Sequence, residues 1–250
     1  MQLNKHANGL LSIYFTAGYP TLDSTITIAK ALEDAGVDFL EIGFPYSDPV
    51  ADGPTIQHSS EVALENGMTL KLLFEQLKDL RKHVSIPVFL MGYVNPVIQF
   101  GVENFCKACK EVGINGSIIP DLPMYEYEEL YKNIFKENGI SNIFLVTPQT
   151  SEERIRKIDK LSNSFIYLLS SNATTGKNLE VKDQSEAYFK RIKDMNLENP
   201  FIIGFGISNK ETFRKATSYA NGAIVGTAFV KLLAGEDYLE KIPEFIQNLR

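Results

Sequence analysis

The feature that most constrains this chain is a hydrophobic period that keeps switching between two values. Short apolar or β-branched runs occupy residues 10–15, 39–42, 87–91, 117–119, 142–146, 165–169, 201–204 and 222–225, each the length of a buried strand. Beside them the apolar spacing turns helical, at 24–35, 70–83, 102–112, 126–137, 152–161, 185–195, 211–219 and 237–249, with one apolar stripe per segment. Eight strands alternating with eight helices predict parallel βαβ units. In 250 residues the natural closure is a (β/α)8 barrel, with residues 1–250 as a single domain. A doubly wound open sheet is the alternative. No linker, charge block or low-complexity stretch divides the chain, so no domain boundary is expected.

Composition narrows the function classes. With 44% hydrophobic residues there is material for a sizeable core. Against 25 basic residues stand 31 acidic ones, a net charge of -6, which creates no field to gather a polyanion, so no nucleic-acid partner is expected. A small phosphorylated metabolite stays open, because backbone N–H groups can hold one phosphate whatever the global charge. The longest apolar stretch, 223–233, carries Lys231 and falls short of the roughly 20 residues a spanning helix needs, so no membrane association is expected. The 10–15 run is too short for a signal-peptide core, and the expected location is the cytoplasm. Cys106 and Cys109 form a C-x-x-C that invites a redox or zinc reading. With no second pair and no nearby His, they read better as small core residues on one helix face. His6, His58 and His83 are scattered without ligand spacing, and no metal is expected.

In a barrel, chemistry gathers where strands end and helices have not begun. The richest such stretch is 43–55, after the second strand. Side chains alternate there, so Phe39 and Glu41 share one face while Leu40 and Ile42 suit the helix side. Glu41 is thereby aimed into the barrel mouth, where desolvation suits it to general acid or acid/base work. A Glu paired with a neighbouring strand's Lys or Arg is the other reading. Asp52 follows in a loop stiffened by Pro45, Pro49 and Pro54, which can position a carboxylate, although Asp52-Gly53 and Asp48 are also ordinary turn residues. After strands seven and eight, Gly206 and Gly226-Thr227 suit a phosphate cradle of backbone N–H groups, or else two tight turns. Gly204-x-Gly206 lacks a third Gly, since position 209 is Asn, and Gly176-Lys177 has Ser171 where a P-loop needs Gly, so neither a dinucleotide nor a nucleotide fingerprint is supported.

The stretch FLEIGFPYSDPVADGPTIQ at 39–57 resembles the signature of the tryptophan synthase alpha chain family. TAGYP (16–20), MGYVNP (91–96), DLP (121–123), YLLS (167–170), GFGI (204–207) and GTA (226–228) resemble further blocks of that family in order, so the resemblance covers essentially the whole chain. It implies a barrel that splits indole-3-glycerol phosphate into indole and glyceraldehyde 3-phosphate. It also implies an α2β2 complex with a beta chain that carries pyridoxal phosphate, and no cofactor in this chain. Carried over, the catalytic Glu falls on Glu41, the catalytic Asp on Asp52 and a Tyr near the substrate on Tyr167. The phosphate falls near Gly176, Gly206, Gly226 and Thr227, and the closing loop after strand six on Thr175. That loop reads Ala173-Thr-Thr-Gly176 rather than the family's Gly-Val-Thr-Gly, Thr227 replaces a frequent Ser, and Ser12-Ile-Tyr-Phe15 lacks the usual Pro. The segment ahead of the first strand is short, which predicts a reduced helix beneath the barrel.

Two other functions compete. Phosphate-binding isomerases and synthases of related fold lean on a strand-end Lys, and no expected strand holds one. A catalytically silent allosteric subunit is disfavoured by the presence of both Glu41 and Asp52. The stiff, proline-rich 43–55 segment suits a docking surface, and the beta chain is expected there through Pro45, Asp48, Pro49 and Asn95, favouring closure of the 170–181 loop.

Overall fold

The computed structural model describes residues 7–169, 183–204 and 206–250. Its elements run β1 (Leu10–Thr16), α1 (Ser24–Asp34), β2 (Phe39–Gly43), α2 (Pro54–Glu65), α3 (Leu70–Leu77), α4 (Leu80–His83), β3 (Val88–Met91), α5 (Val94–Phe100), α6 (Val102–Glu111) and β4 (Gly116–Ile118). Then come α7 (Met124–Glu126), a π-helical stretch (Tyr127–Tyr131), α8 (Lys132–Asn138), β5 (Ser141–Val146), α9 (Glu152–Leu161), β6 (Ile166–Leu169) and α10 (Asp183–Asp194). β7 (Phe201–Gly204), α11 (Lys210–Tyr219), β8 (Gly222–Val225), α12 (Thr227–Leu233) and α13 (Tyr238–Gln247) complete the chain. The strands pair in sequence order, all parallel, and β8 returns to β1. The sheet is therefore a closed (β/α)8 barrel, not the open alternative.

Strand alternation divides the core in two. Phe39, Phe89, Ile118, Ile143, Phe165, Tyr167, Ile202 and Ile224 fill the interior. The opposite parity, including Leu11, Ile13, Phe15, Leu40 and Ile42, packs under the helices. Three interior rings interlock, with centroids 5.9 Å apart for Phe39–Phe89, 5.5 Å for Phe39–Phe165 and 5.2 Å for Phe89–Phe165. The barrel is thus packed at this level, and any ligand must enter from a mouth.

Helix ends follow local chemistry. Thr69 and Ser151 accept hydrogen bonds from Leu72 and Arg154 backbone N–H groups, and Asn209 and Thr212 form a reciprocal capping box, each satisfying donors a helix start leaves unpaired. Asp121, in the loop after β4, accepts from the Val94 N–H at 2.8 Å and so caps α5 from the neighbouring unit. Arg250 pairs with Asp38 at the entrance to β2, whose carboxylate also accepts from Leu11 N–H at 2.8 Å.

Cys106 and Cys109 are free and fully buried in the α6 face. Burial pushes the Cys106 thiol up to about 12 and raises Cys109 as well, so both behave as small core side chains. Among the described residues no helix is long and apolar enough to cross a membrane. The expected helix over 70–83 is two pieces, α3 and α4, and the one over 126–137 contains the π-helical stretch.

Candidate active site

A cleft of about 580 Å³ opens at the C-terminal ends of the strands. Its wall takes Tyr14 from β1, Met91 from β3, Leu145 from β5 and Leu169 from β6, and its rim includes Asp52, Tyr93 and Arg154. The mixture is that of a ligand site, with apolar walls and a few convergent polar groups.

Asp52 is held by its surroundings. The Tyr93 hydroxyl donates to its Oδ2 at 2.9 Å and itself accepts from the Ala51 N–H at 3.0 Å. The Asp52 N–H donates to the Pro49 carbonyl at 3.0 Å, and Gln57 Nε2 donates to the Asp52 carbonyl at 2.9 Å. Pro54 opens α2 at a position where a missing N–H costs nothing, so the loop runs taut from β2 into the helix. Burial raises the Asp52 carboxyl to about 6, and the Tyr93 hydrogen bond offsets part of that rise.

Glu41 faces the interior, as alternation requires. It stands in the middle of β2, in register with Tyr14 and Phe89, and so lies below the mouth into which it was expected to point, because the ladder continues through Ile42 and Gly43. The carboxyl has no exposed surface, and neither oxygen has a hydrogen-bond partner. That removes the alternative of a Lys or Arg pair. Burial alone lifts it to about 8, so at neutral pH it is an acid holding its proton.

Tyr167 points inward from β6 and is 3% exposed. It belongs to the interior packing, below the cleft rather than on its wall. Its ring crosses Gly204, where a Cβ would stand 2.0 Å from the phenol oxygen. Burial, then the nearby Glu41 and Asp52, raise its hydroxyl well above the ordinary value. Gly206 follows β7 with φ of 78°, a left-handed conformation that glycine adopts without strain. Gly226 caps α12, and Thr227 is that helix's first residue. Thr175 and Gly176 lie outside the described residues.

Of the expected docking residues, Asp48 and Asn95 are exposed and Pro49 is half-buried. Pro45 is buried, two residues past the end of β2 and next to buried Phe44, which packs in the core. It cannot present a surface. Asn95 Nδ2 donates to the Tyr46 hydroxyl at 3.4 Å, tying the loop after β2 to α5.

Tyr14 and Tyr93 were not singled out from the sequence. Tyr93 carried a signal, since it lies two residues past a strand end. Tyr14 has the inward parity of β1, flanked by Ser12 and Thr16, but looks like ordinary core without its neighbours.

Fold and site together define a (β/α)8 barrel with a buried carboxylic acid beneath its C-terminal cleft and an anchored carboxylate on the cleft's rim, a pairing suited to acid–base chemistry. Comparison with known proteins is specific. The chain belongs to the tryptophan synthase alpha chain family, whose model matches residues 1–248. It is 59% identical over 240 residues to the tryptophan synthase alpha chain of Flavobacterium psychrophilum, covering 96% of this chain and 94% of the relative. The alpha chain of Bacteroides thetaiotaomicron is 54% identical over 238 residues, covering 95% and 93%. Among solved structures, the A-subunit from Pyrococcus furiosus is similar with a TM-score of 0.89 at 36% identity, covering 97% of this chain and 98% of that one. A tryptophan synthase complex from the same organism gives 0.88 at 35% over 97% and 98%.

Proposed function

We propose that this chain is the lyase subunit that splits indole-3-glycerol phosphate into indole and glyceraldehyde 3-phosphate. The observation that carries the reading is the divergence of two carboxyls that both act on Tyr14 and Tyr167. Glu41 is raised to about 8 and stays protonated at neutral pH, whereas Asp52, raised to about 6, is ionised. Paired groups whose environments push their proton affinities apart mark an acid and an anion.

Cleavage is a retro-aldol step. Glu41 places its proton on indole C3, which turns the ring into a positively charged indolenine. Asp52 accepts the ring N–H and stabilises that charge from a position already fixed by Tyr93. The Glu41 carboxylate then takes the proton of the side-chain hydroxyl next to C3. The C–C bond breaks, its electron pair restores the aromatic indole, the oxygen becomes an aldehyde, and Glu41 has recovered its proton. Because Glu41 lies beneath the cleft, a change of its rotamer delivers the proton. The N–H groups near Gly206, Gly226 and Thr227 take the phosphate; Tyr167, close enough to Glu41 and Asp52 to feel both carboxyls, keeps the place near the substrate that the resemblance gives it, as Thr175 and Gly176 keep theirs.

We further infer that a beta chain carrying pyridoxal phosphate docks over this mouth in an α2β2 assembly. Val50, Ile98 and Tyr125 are exposed large apolar side chains on the segments that follow β2, β3 and β4, the first two of which also carry Asp48, Pro49 and Asn95, a mixture of apolar and polar groups suited to an interface. Residues 1–250 are inferred to be one domain, since α13 packs on α1 and Arg250 reaches Asp38. The two free cysteines suit a reducing compartment such as the cytoplasm. The test is indole release from purified chain given indole-3-glycerol phosphate, alone and with rising beta chain. Stoichiometric indole and aldehyde, accelerated by the partner, support the reading. No indole under either condition defeats it.

A further inference from the structure

Tyr14 lies between the two ends of the cleft. Its ring passes within van der Waals reach of Gly226, where a Cβ would stand 3.6 Å from its Cβ and Cδ1. Its hydroxyl lies over Gly43, where a Cβ would stand 2.2 Å from the oxygen. The ring therefore runs from the proposed phosphate end toward the Glu41 and Asp52 end.

The hydroxyl is also directed. Tyr14 and Thr16 hydroxyl oxygens are 3.5 Å apart, Thr16 and Ser59 hydroxyls 2.7 Å, and Ser59 Oγ donates to the Ile56 carbonyl at 2.8 Å. A carbonyl can only accept, so all three contacts hold together in one direction alone. Ser59 spends its single proton on Ile56, Thr16 donates to Ser59, and Tyr14 donates to Thr16. The Tyr14 oxygen then turns lone pairs, not its proton, toward the cleft. Burial, with Asp52 the next cause, keeps that hydroxyl protonated, so it cannot become a base.

We propose that Tyr14 is a specificity residue whose oxygen accepts a hydrogen bond from a hydroxyl on the substrate's side chain, the Thr16–Ser59–Ile56 chain keeping that oxygen acceptor-only. The inference rests on the reading of the substrate as indole-3-glycerol phosphate, whose glycerol hydroxyls lie between ring and phosphate. An indole joined to phosphate through an unsubstituted propyl chain fills the same cleft without those hydroxyls.

The experiment compares KM for indole-3-glycerol phosphate with the inhibition constant of this propyl analogue, using the full chain and three variants. Tyr14→Phe raises KM about tenfold, the worth of one buried hydrogen bond, while analogue binding stays within about twofold. Thr16→Val frees the Tyr14 proton to turn into the cleft and shows the same selective loss, whereas Thr16→Ser keeps the chain and behaves like the parent. Analogue binding doubles as the check that each variant is folded. Equal weakening of substrate and analogue by Tyr14→Phe, or no change in either, overturns the assignment. A selective loss in Tyr14→Phe with Thr16→Val unaffected overturns the role of the hydrogen-bond chain. If the unaltered chain neither turns over substrate nor binds the analogue, the substrate reading itself fails, and Tyr14's role with it.

Discussion

Replacing Glu41 by glutamine removes a titrating proton from the barrel interior and keeps the side chain's size. In the folded chain this carboxyl has no exposed surface and no hydrogen-bond partner, and its proton affinity rises from the ordinary 4.5 to about 8. Between those values the folded state binds a proton that the unfolded state has already lost, so the parent's stability falls as pH rises through this window. At about 1.4 kcal/mol per pH unit the penalty approaches about 5 kcal/mol above pH 8, and about 4 kcal/mol of it develops between about pH 5 and about pH 9. The amide of Glu41→Gln does not titrate. Relative to the parent, the variant gains stability steadily as pH rises and levels off above about pH 8. Urea unfolding of both chains, followed by circular dichroism at fixed pH values, reads this difference, and titrations common to both chains cancel. A stability difference that stays constant over the range would refute the reasoning, since it would mean that Glu41 is hydrated or paired in solution.

Tyr93→Phe removes the donor that lowers Asp52's proton affinity, so the ascending, acidic limb of the pH–rate profile moves to higher pH by about one unit; an unmoved limb in steady-state assays would separate Tyr93 from Asp52. Gly204→Ala places a methyl 2.0 Å from the Tyr167 oxygen and should cost about 1–3 kcal/mol in urea unfolding, with turnover reduced because Tyr167 must shift beneath the cleft. Asp159 is 8% exposed and accepts from Glu198 N–H, Asn199 N–H and Asn199 Nδ2 at 2.8, 3.0 and 2.8 Å. Asp159→Ala strands those donors ahead of β7 and should cost about 3 kcal/mol, checked by the same unfolding measurement.

The barrel was legible because strand and helix periods differ and each strand run is short and apolar. Every expected strand exists, within a residue or so at each end. What escaped was hidden by punctuation. Pro54 looked like part of a stiff loop, although a Pro at the first helical position starts α2. Pro96 likewise sits in the first turn of α5, a helix the periodicity did not predict, where its missing N–H costs nothing. α12 merged with β8 into one apolar stretch, because Gly226 alone separates them. The break after Leu77 carries neither Gly nor Pro, so no local signal announced it. At the site, Glu41 and Asp52 could be named from motif and parity. Their divergent protonation could not, since it depends on burial and on Tyr93, which reaches Asp52 from 41 residues away. Pro45 was misread as surface for the same reason: burial belongs to the assembled barrel.

The account turns on Glu41 delivering a proton while Asp52 stays charged, and the pH dependence of kcat/KM for indole release tests that most directly. Catalysis should fall as pH rises through about 8, the value to which burial lifts Glu41, and Glu41→Gln should show no turnover above background at any pH. A rate that holds level or climbs from about pH 8 to about pH 9, or near-normal turnover by Glu41→Gln, would contradict the assignment of Glu41 as the acid.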